Sequence, residues 1–116
     1  MSGVPGLVRE DVWYAELDPV VGHEQAGRRP VVILSSDSFN AGRSGLVVIA
    51  PITSRVRPLP LHVPVLPPEG GLTMPSAILC DGIRSVDRTR LLAYMGSLDP
   101  TTMLKVERGL RSLLVL

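Results

Sequence analysis

At 116 residues the chain has room for one hydrophobic core, and a single domain over 1–116 is expected. Lys+Arg 12 against Asp+Glu 11 leaves a formal +1, which excludes a whole-chain field of the kind that advertises nucleic acid or membrane. The single cysteine, Cys80, excludes an internal disulfide and a multi-cysteine zinc site, two histidines (His23 and His62) argue against a histidine metal site, and no apolar run nears the roughly 20 residues of a membrane span.

The first residues, Met1 to Gly6, lack the basic start and apolar stretch of a secretion signal, so a soluble cytoplasmic protein is expected. Residues 1–8 read as a loose arm. Asp11–Leu17 alternates, with Trp13, Ala15 and Leu17 on one face and Val12, Tyr14 and Glu16 on the other, which predicts a strand. The polar stretch Asp18–Arg29, holding Pro19, Gly22 and Gly27, is long for a connection and typical of a working loop. Pro30–Ser35 is a β-branched run that predicts a buried strand. Asp37 to Gly45 reads as a turn region, and Leu46–Ile52 as another apolar strand.

Leu59–Val65 alternates Leu59, Leu61, Val63 and Val65 against Pro60, His62 and Pro64. Proline cannot donate to a ladder, so this strand belongs at an edge. Ser76–Asp81 and Ile83–Asp87 flank Gly82 and predict one bent strand or a bulge. Leu91–Met95 is a last strand. The period then changes: Asp99 suits an N-cap, Pro100 suits the first helical position, and Met103, Val106, Leu110, Leu113 and Leu114 form one apolar stripe. Glu107 and Arg111 are spaced for an i, i+4 pair. The chain therefore reads as mostly β: five to seven short antiparallel strands and one C-terminal helix over about 99–115. That pattern suits a small barrel or sandwich rather than βαβ units.

Chemistry concentrates in two places. The loop Gly22–Pro30 packs His23, Glu24, Gln25, Arg28 and Arg29 between glycines, and Thr53, Ser54 and Arg55 follow the apolar strand at 46–52. Between residues 22 and 57, five arginines face Glu24 and Asp37, a local +3 inside a nearly neutral chain. If both segments open on one rim they form a phosphate-sized site, with arginine for charge, hydroxyls as neutral donors and Glu24 as a carboxylate. Each residue also has an ordinary reading: a surface arginine before a strand, a Thr-Ser turn, surface histidines, a small core cysteine. Composition and spacing alone leave the function open.

The runs Asp11-Val12-Trp13-Tyr14-Ala15-Glu16-Leu17-Asp18-Pro19 and Gly22-His23-Glu24-Gln25-Ala26-Gly27-Arg28-Arg29-Pro30 resemble the opening of the MazF/PemK toxin family. The likeness continues through Pro51-Ile52-Thr53-Ser54, Leu61-His62-Val63 and Ile83-Arg84-Ser85-Val86-Asp87, and spans about residue 9 to 116. The resemblance implies an SH3-like barrel, a homodimer that can assemble into a toxin–antitoxin heterohexamer, and a cognate MazE-like antitoxin. It implies a sequence-specific endoribonuclease that cuts single-stranded mRNA without a metal or other cofactor and so inhibits translation. The family's essential arginine and threonine fall on Arg29 and Thr53, and its glutamate on Glu24. His23, Gln25, Arg28, Ser54, Arg55, Arg57 and Arg84 are then the candidate RNA-binding residues. Two other functions fit the same outline: a DNA gyrase poison on the related barrel, or an inactive RNA-binding barrel. Gly82 departs from the family pattern, which often carries Gln before Ile-Arg.

Overall fold

The computed structural model describes residues 6–17 and 27–116. Its elements run β1 (Asp11–Glu16), β2 (Arg28–Ile33), α1 (Asp37–Asn40), β3 (Leu46–Thr53), β4 (His62–Val65), β5 (Ser76–Leu79), β6 (Arg84–Asp87), β7 (Leu91–Ser97) and α2 (Pro100–Leu114), with 3-10 turns at Glu69–Gly71, Cys80–Gly82 and Arg88–Arg90. Every ladder is antiparallel, and the path across the sheet is β4-β5-β3-β2-β1-β7, with β6 also on β3. This is the expected mostly-β architecture with a C-terminal helix.

β3 organises the molecule. One of its edges pairs with β2. Along the other, Leu46–Ile49 pair with β6, and Ile52 and Thr53 pair with β5. The expected bent strand around Gly82 is thus two strands on different halves of β3, separated by the turn Cys80–Gly82. A Cβ on Gly82 would lie 3.0 Å from the Pro51 ring, so this turn packs tightly on β3.

Alternation along the strands sorts side chains into two cores. Val12, Val32, Ala50, Ile52, Val63 and Ile78 face α2 and pack with its Met103 and Val106. Ala15, Leu17, Val31, Ile33, Val47, Ile49 and Val86 form a second core on the opposite face. β1 carries the predicted faces, although two register shifts interrupt its pairing with β7.

The ends of the path, β4 and β7, do not pair in a ladder, so the sheet curls without closing as a hydrogen-bonded barrel. The turn Glu69–Gly71 packs across β7 instead. Gly71 has φ 71°, and a Cβ there would meet the Met95 carbonyl oxygen at 2.1 Å; a Cβ on Gly96 would meet the Gly70 carbonyl carbon at 2.8 Å. Backbone approaches backbone only because both residues lack a side chain. Glu69 then ties this turn to the helix, its carboxylate accepting the Asp99 N–H at 2.8 Å.

Asp99 holds the N-cap position with extended backbone and Pro100 opens α2, as the sequence predicts, but the Asp99 side chain makes no capping bond. The apolar stripe is buried only in its first half. Thr102, Met103 and Val106 are buried and Leu110 packs on the core, whereas Leu113 and Leu114 are 37% and 50% exposed. Glu107 accepts Arg9 Nη2 at 2.8 Å, which ties the N-terminal segment to α2 and takes the place of the expected Arg111 pair.

Three boundaries differ from expectation. The turn region after β2 contains the one-turn helix α1, begun by the Ser36 hydroxyl accepting the Phe39 N–H. β4 is shorter than Leu59–Val65 because Leu59–His62 closes a turn, the His62 N–H donating to the Leu59 carbonyl at 3.0 Å. It lies at a sheet edge, as its prolines require. β2 begins two residues before Pro30, which lifts Arg28 and Arg29 out of the loop and onto a strand.

Candidate active site

Two prolines open the sheet where chemistry was expected. The last register pair between β2 and β3 is Val31 with Pro51. Neither Pro30 nor Pro51 has an N–H to give the ladder, so the strands part there. Continuing the same register sets Arg29 opposite Thr53 on the two diverging ends. Both lie on the face of the second core, two residues beyond Val31 and Pro51. β6 adds Arg84 on that face, because it pairs with Ile49.

These ends open into a cleft of about 1210 Å³. Arg28, Arg29, Thr53, Ser54, Arg55, Arg57 and Arg84 all line it. Seven of the ten residues expected at the site are thus brought together from β2, β3, β6 and the loop after β3. The other three, His23, Glu24 and Gln25, lie outside the described residues.

The local geometry gives several side chains a defined state. The Thr53 Oγ1 accepts the Arg55 N–H at 3.1 Å, a turn that fixes the hydroxyl and leaves its own O–H as a donor. Arg29 and Arg84 are half-buried, whereas Arg55 and Arg57 are exposed on the rim. Arg28 pairs with Glu16, its Nε donating to Oε1 at 3.1 Å. That pair follows from the register of β1 on β2. Exposed pairs of this kind are worth only about 0.2–1 kcal/mol, so Glu16 can release the guanidinium to a stronger anion. Asp87, a conceivable partner for Arg84, accepts Thr89 N at 2.9 Å and Thr89 Oγ1 at 2.7 Å. Those bonds, the backbone one first, hold its carboxyl below the usual range.

Three titratable cleft residues escaped the sequence reading. Tyr14 stands across from Pro30 on the cleft side of β1. His62 was expected on the surface, but its side chain is 12% exposed and forms part of the wall. Asp81, in the turn Cys80–Gly82, lies beside it and is the one carboxylate lining the cleft among the described residues. The alternation of Leu59–Val65 was the available signal for His62. It places that residue opposite the buried Val63 and Val65, hence on the face that Thr53 occupies.

The arrangement can therefore grip an extended polyanion, with five arginines and five hydroxyl side chains (Tyr14, Thr53, Ser54, Thr73 and Ser76) against a single carboxylate among the described residues. Among the described residues, no three His, Cys, Asp or Glu side chains converge as a metal site. No helix among them is long and apolar enough to cross a membrane.

Residues 8–114 match the profile of the PemK-like, MazF-like toxin of type II toxin–antitoxin systems. The chain belongs to that family. It is 38% identical over 110 residues to endoribonuclease EndoA of Bacillus subtilis (strain 168), covering 93% of this chain and 94% of that protein. The crystal structure of MazF from Deinococcus radiodurans superposes with a TM-score of 0.84 at 30% identity, covering 99% of this chain and 100% of the other. A MazE–MazF crystal structure from the same organism matches with a TM-score of 0.79 at 31% identity, over 97% of this chain and 99% of its counterpart. The MazF/PemK resemblance read from the sequence is thereby established, and with it the fold.

Proposed function

We propose that this MazF/PemK-family toxin is a sequence-specific endoribonuclease that cuts single-stranded mRNA and so inhibits translation. The observation that carries this reading is the placement of Arg29 opposite Thr53 where β2 and β3 part, at the head of a cleft rich in arginine. The endoribonuclease identity of the Bacillus relative supports it.

In this reading the chemistry begins with the RNA's own 2′-hydroxyl. It attacks the adjacent phosphorus, the 5′-oxygen leaves, and the products carry a 2′,3′-cyclic phosphate and a 5′-hydroxyl. Arg29 offsets the charge that grows on the phosphorane oxygens. The Thr53 O–H, oriented by the Arg55 N–H, donates to a non-bridging or leaving oxygen. Arginine stays protonated at ordinary pH and is a poor base. Glu24 is therefore the proposed base, directly or through water. Arg28, Ser54, Arg55, Arg57 and Arg84, with His23 and Gln25, are proposed to hold the strand. The gyrase-poison reading has no use for Arg29 and Thr53.

The unit in this proposal is one cytoplasmic domain over 1–116, acting as a homodimer and neutralised by a MazE-like antitoxin. The MazE–MazF structure that the chain matches supports that partnership. Leu59, 47% exposed, is available to a partner face; Leu61 packs on the core and is not.

The test is cleavage of a long single-stranded RNA in EDTA, wild type beside Arg29→Ala, with product ends mapped. Discrete cuts bearing 5′-hydroxyls are expected, falling by about 10²–10³ in kcat in the variant, the cost typical of removing one charge-stabilising donor. Undiminished cutting by Arg29→Ala, or no cutting by wild type without a divalent cation, overturns the assignment.

A further inference from the structure

Among the described residues, all but one of the charged groups that line the cleft are cationic. Asp81 is the exception, half exposed, with its Oδ1 3.8 Å from the Nε2 of the mostly buried His62. The register fixes where this pair sits. Thr53 pairs with Ala77, and Ala77 with Pro64; His62 is two residues from Pro64 on β4. Val63, the next residue, and its ladder partner Ile78 belong to the α2-side core, so His62, paired with Leu79, faces the side that carries Thr53. Two strand spacings of about 4.8 Å and two residues of about 3.4 Å put the Cα atoms of His62 and Thr53 about 12 Å apart. That offset places the pair beside a phosphate held at Arg29 and Thr53, against a neighbouring nucleotide of the same strand.

We infer that Asp81 and His62 form a base-reading subsite for a nucleotide flanking the cleaved bond, which accepts an amino-bearing base and rejects uracil. This rests on the ribonuclease reading above. A carboxylate only accepts hydrogen bonds. Cytosine, adenine and guanine each offer it an amino group on the Watson–Crick edge, which a single-stranded RNA leaves readable. Uracil offers one N–H flanked by two carbonyl oxygens, which the carboxylate repels. A phosphate in the same place is disfavoured by like charge, so Asp81 also keeps the backbone over toward the arginines.

His62 walls one side of the carboxylate and limits how a base edge can approach it. The other charged groups near this imidazole, among the described residues, are the arginines of the cleft and, on its other side, Lys105 and Arg108 of α2.

The test uses short single-stranded RNAs carrying the mapped cut, with each base in turn at each flanking position. Cleavage (kcat and KM separately) and binding by fluorescence anisotropy are measured at one pH. Wild type is expected to disfavour uracil at one flanking position by about tenfold in KM, the scale of one good base contact. Asp81→Asn, which can donate as well as accept, is expected to erase the discrimination. His62→Gln and His62→Asn, compared by circular dichroism and Tm to certify the fold, are expected to weaken it, because the wall beside the carboxylate changes shape. Undiminished uracil discrimination in Asp81→Asn overturns the subsite while leaving the nuclease reading intact. Base discrimination in binding without any cleavage overturns the nuclease reading and upholds the subsite, and absence of RNA binding overturns both.

Discussion

Cys80 sits fully buried at the start of the turn between β5 and β6, its Sγ donating to the Val106 carbonyl at 3.8 Å. Burial first, and then the Asp81 carboxylate, push its pKa from 9.0 up to about 11. The folded chain thus holds this proton more tightly than the unfolded chain does. The stability that results is complete below the unfolded value and is lost as pH rises from about 9 to about 11. Tm of the wild type is expected to fall over that window by more than Tm of Cys80→Ala. Parallel melting curves would mean that another group governs the alkaline limb. The sequence alone supports Cys80 as a core residue, because it ends an apolar run. Arg29 and Thr53 are different: in composition they are an arginine before a proline and a turn threonine. Only the family likeness singles them out, and only the β2–β3 register brings them together. Asp81 was missed because nothing local announces that the turn at 80–82 meets β4, and His62 because alternation gives its face but not what that face lines.

α2 shows how an element is fitted to its seat. Gly109 lies in its interior, where glycine costs about 1 kcal/mol against alanine. A Cβ at this position would stand 2.9 Å from Cys80 Sγ and 3.4 Å from Cys80 Cβ. The sulfur is the tip of a short side chain with core on all sides, so it cannot swing clear. Gly109→Ala is expected to destabilise the protein by up to about 2 kcal/mol, an overpacking cost of about 1–3 kcal/mol less about 1 kcal/mol of helix propensity. In a Cys80→Ala background the obstacle is gone, and the same change is expected to become neutral or stabilising through helix propensity. Urea unfolding of the four proteins in this cycle checks it, and equal effects of Gly109→Ala in both backgrounds would refute the contact. The helix itself was legible from Asp99, Pro100 and the period of its apolar residues. Its half-exposed C-terminal stripe was not, because periodicity reports which face is apolar and not how far the body extends beneath it. Strand ends followed the same rule. The ladder carries β2 back through Arg28 because β1 supplies partners for it, whereas β4 is trimmed by a turn at Leu59–His62 that alternation conceals.

Across the whole molecule, a nearly neutral chain places five arginines around one cleft. The local excess near 22–57 was readable in sequence, but the contribution of Arg84 depends on β6 lying along β3. The sheet order was beyond reach for the same reason. Nothing in Ser76–Asp87 says that its two halves grip different stretches of one strand. β3 is consequently held on both edges, by β2 along Ile49–Pro51 and by β6 and β5 along Leu46–Ile49 and Ile52–Thr53. Its central amides, from Val47 to Ala50 and at Ile52, are expected to be the slowest in the chain to exchange with deuterium, opening only with global unfolding. Faster exchange there than in the buried half of α2 would contradict this. A slip of β3 by a single residue would break its alignment with β2, β5 and β6 together and turn Thr53 to the wrong face. The strand thus works like a key cut on both edges. The alignment of Arg29 with Thr53 is then expected to rest on the most persistent hydrogen bonds in the protein and, on heating, to last until the molecule as a whole gives way.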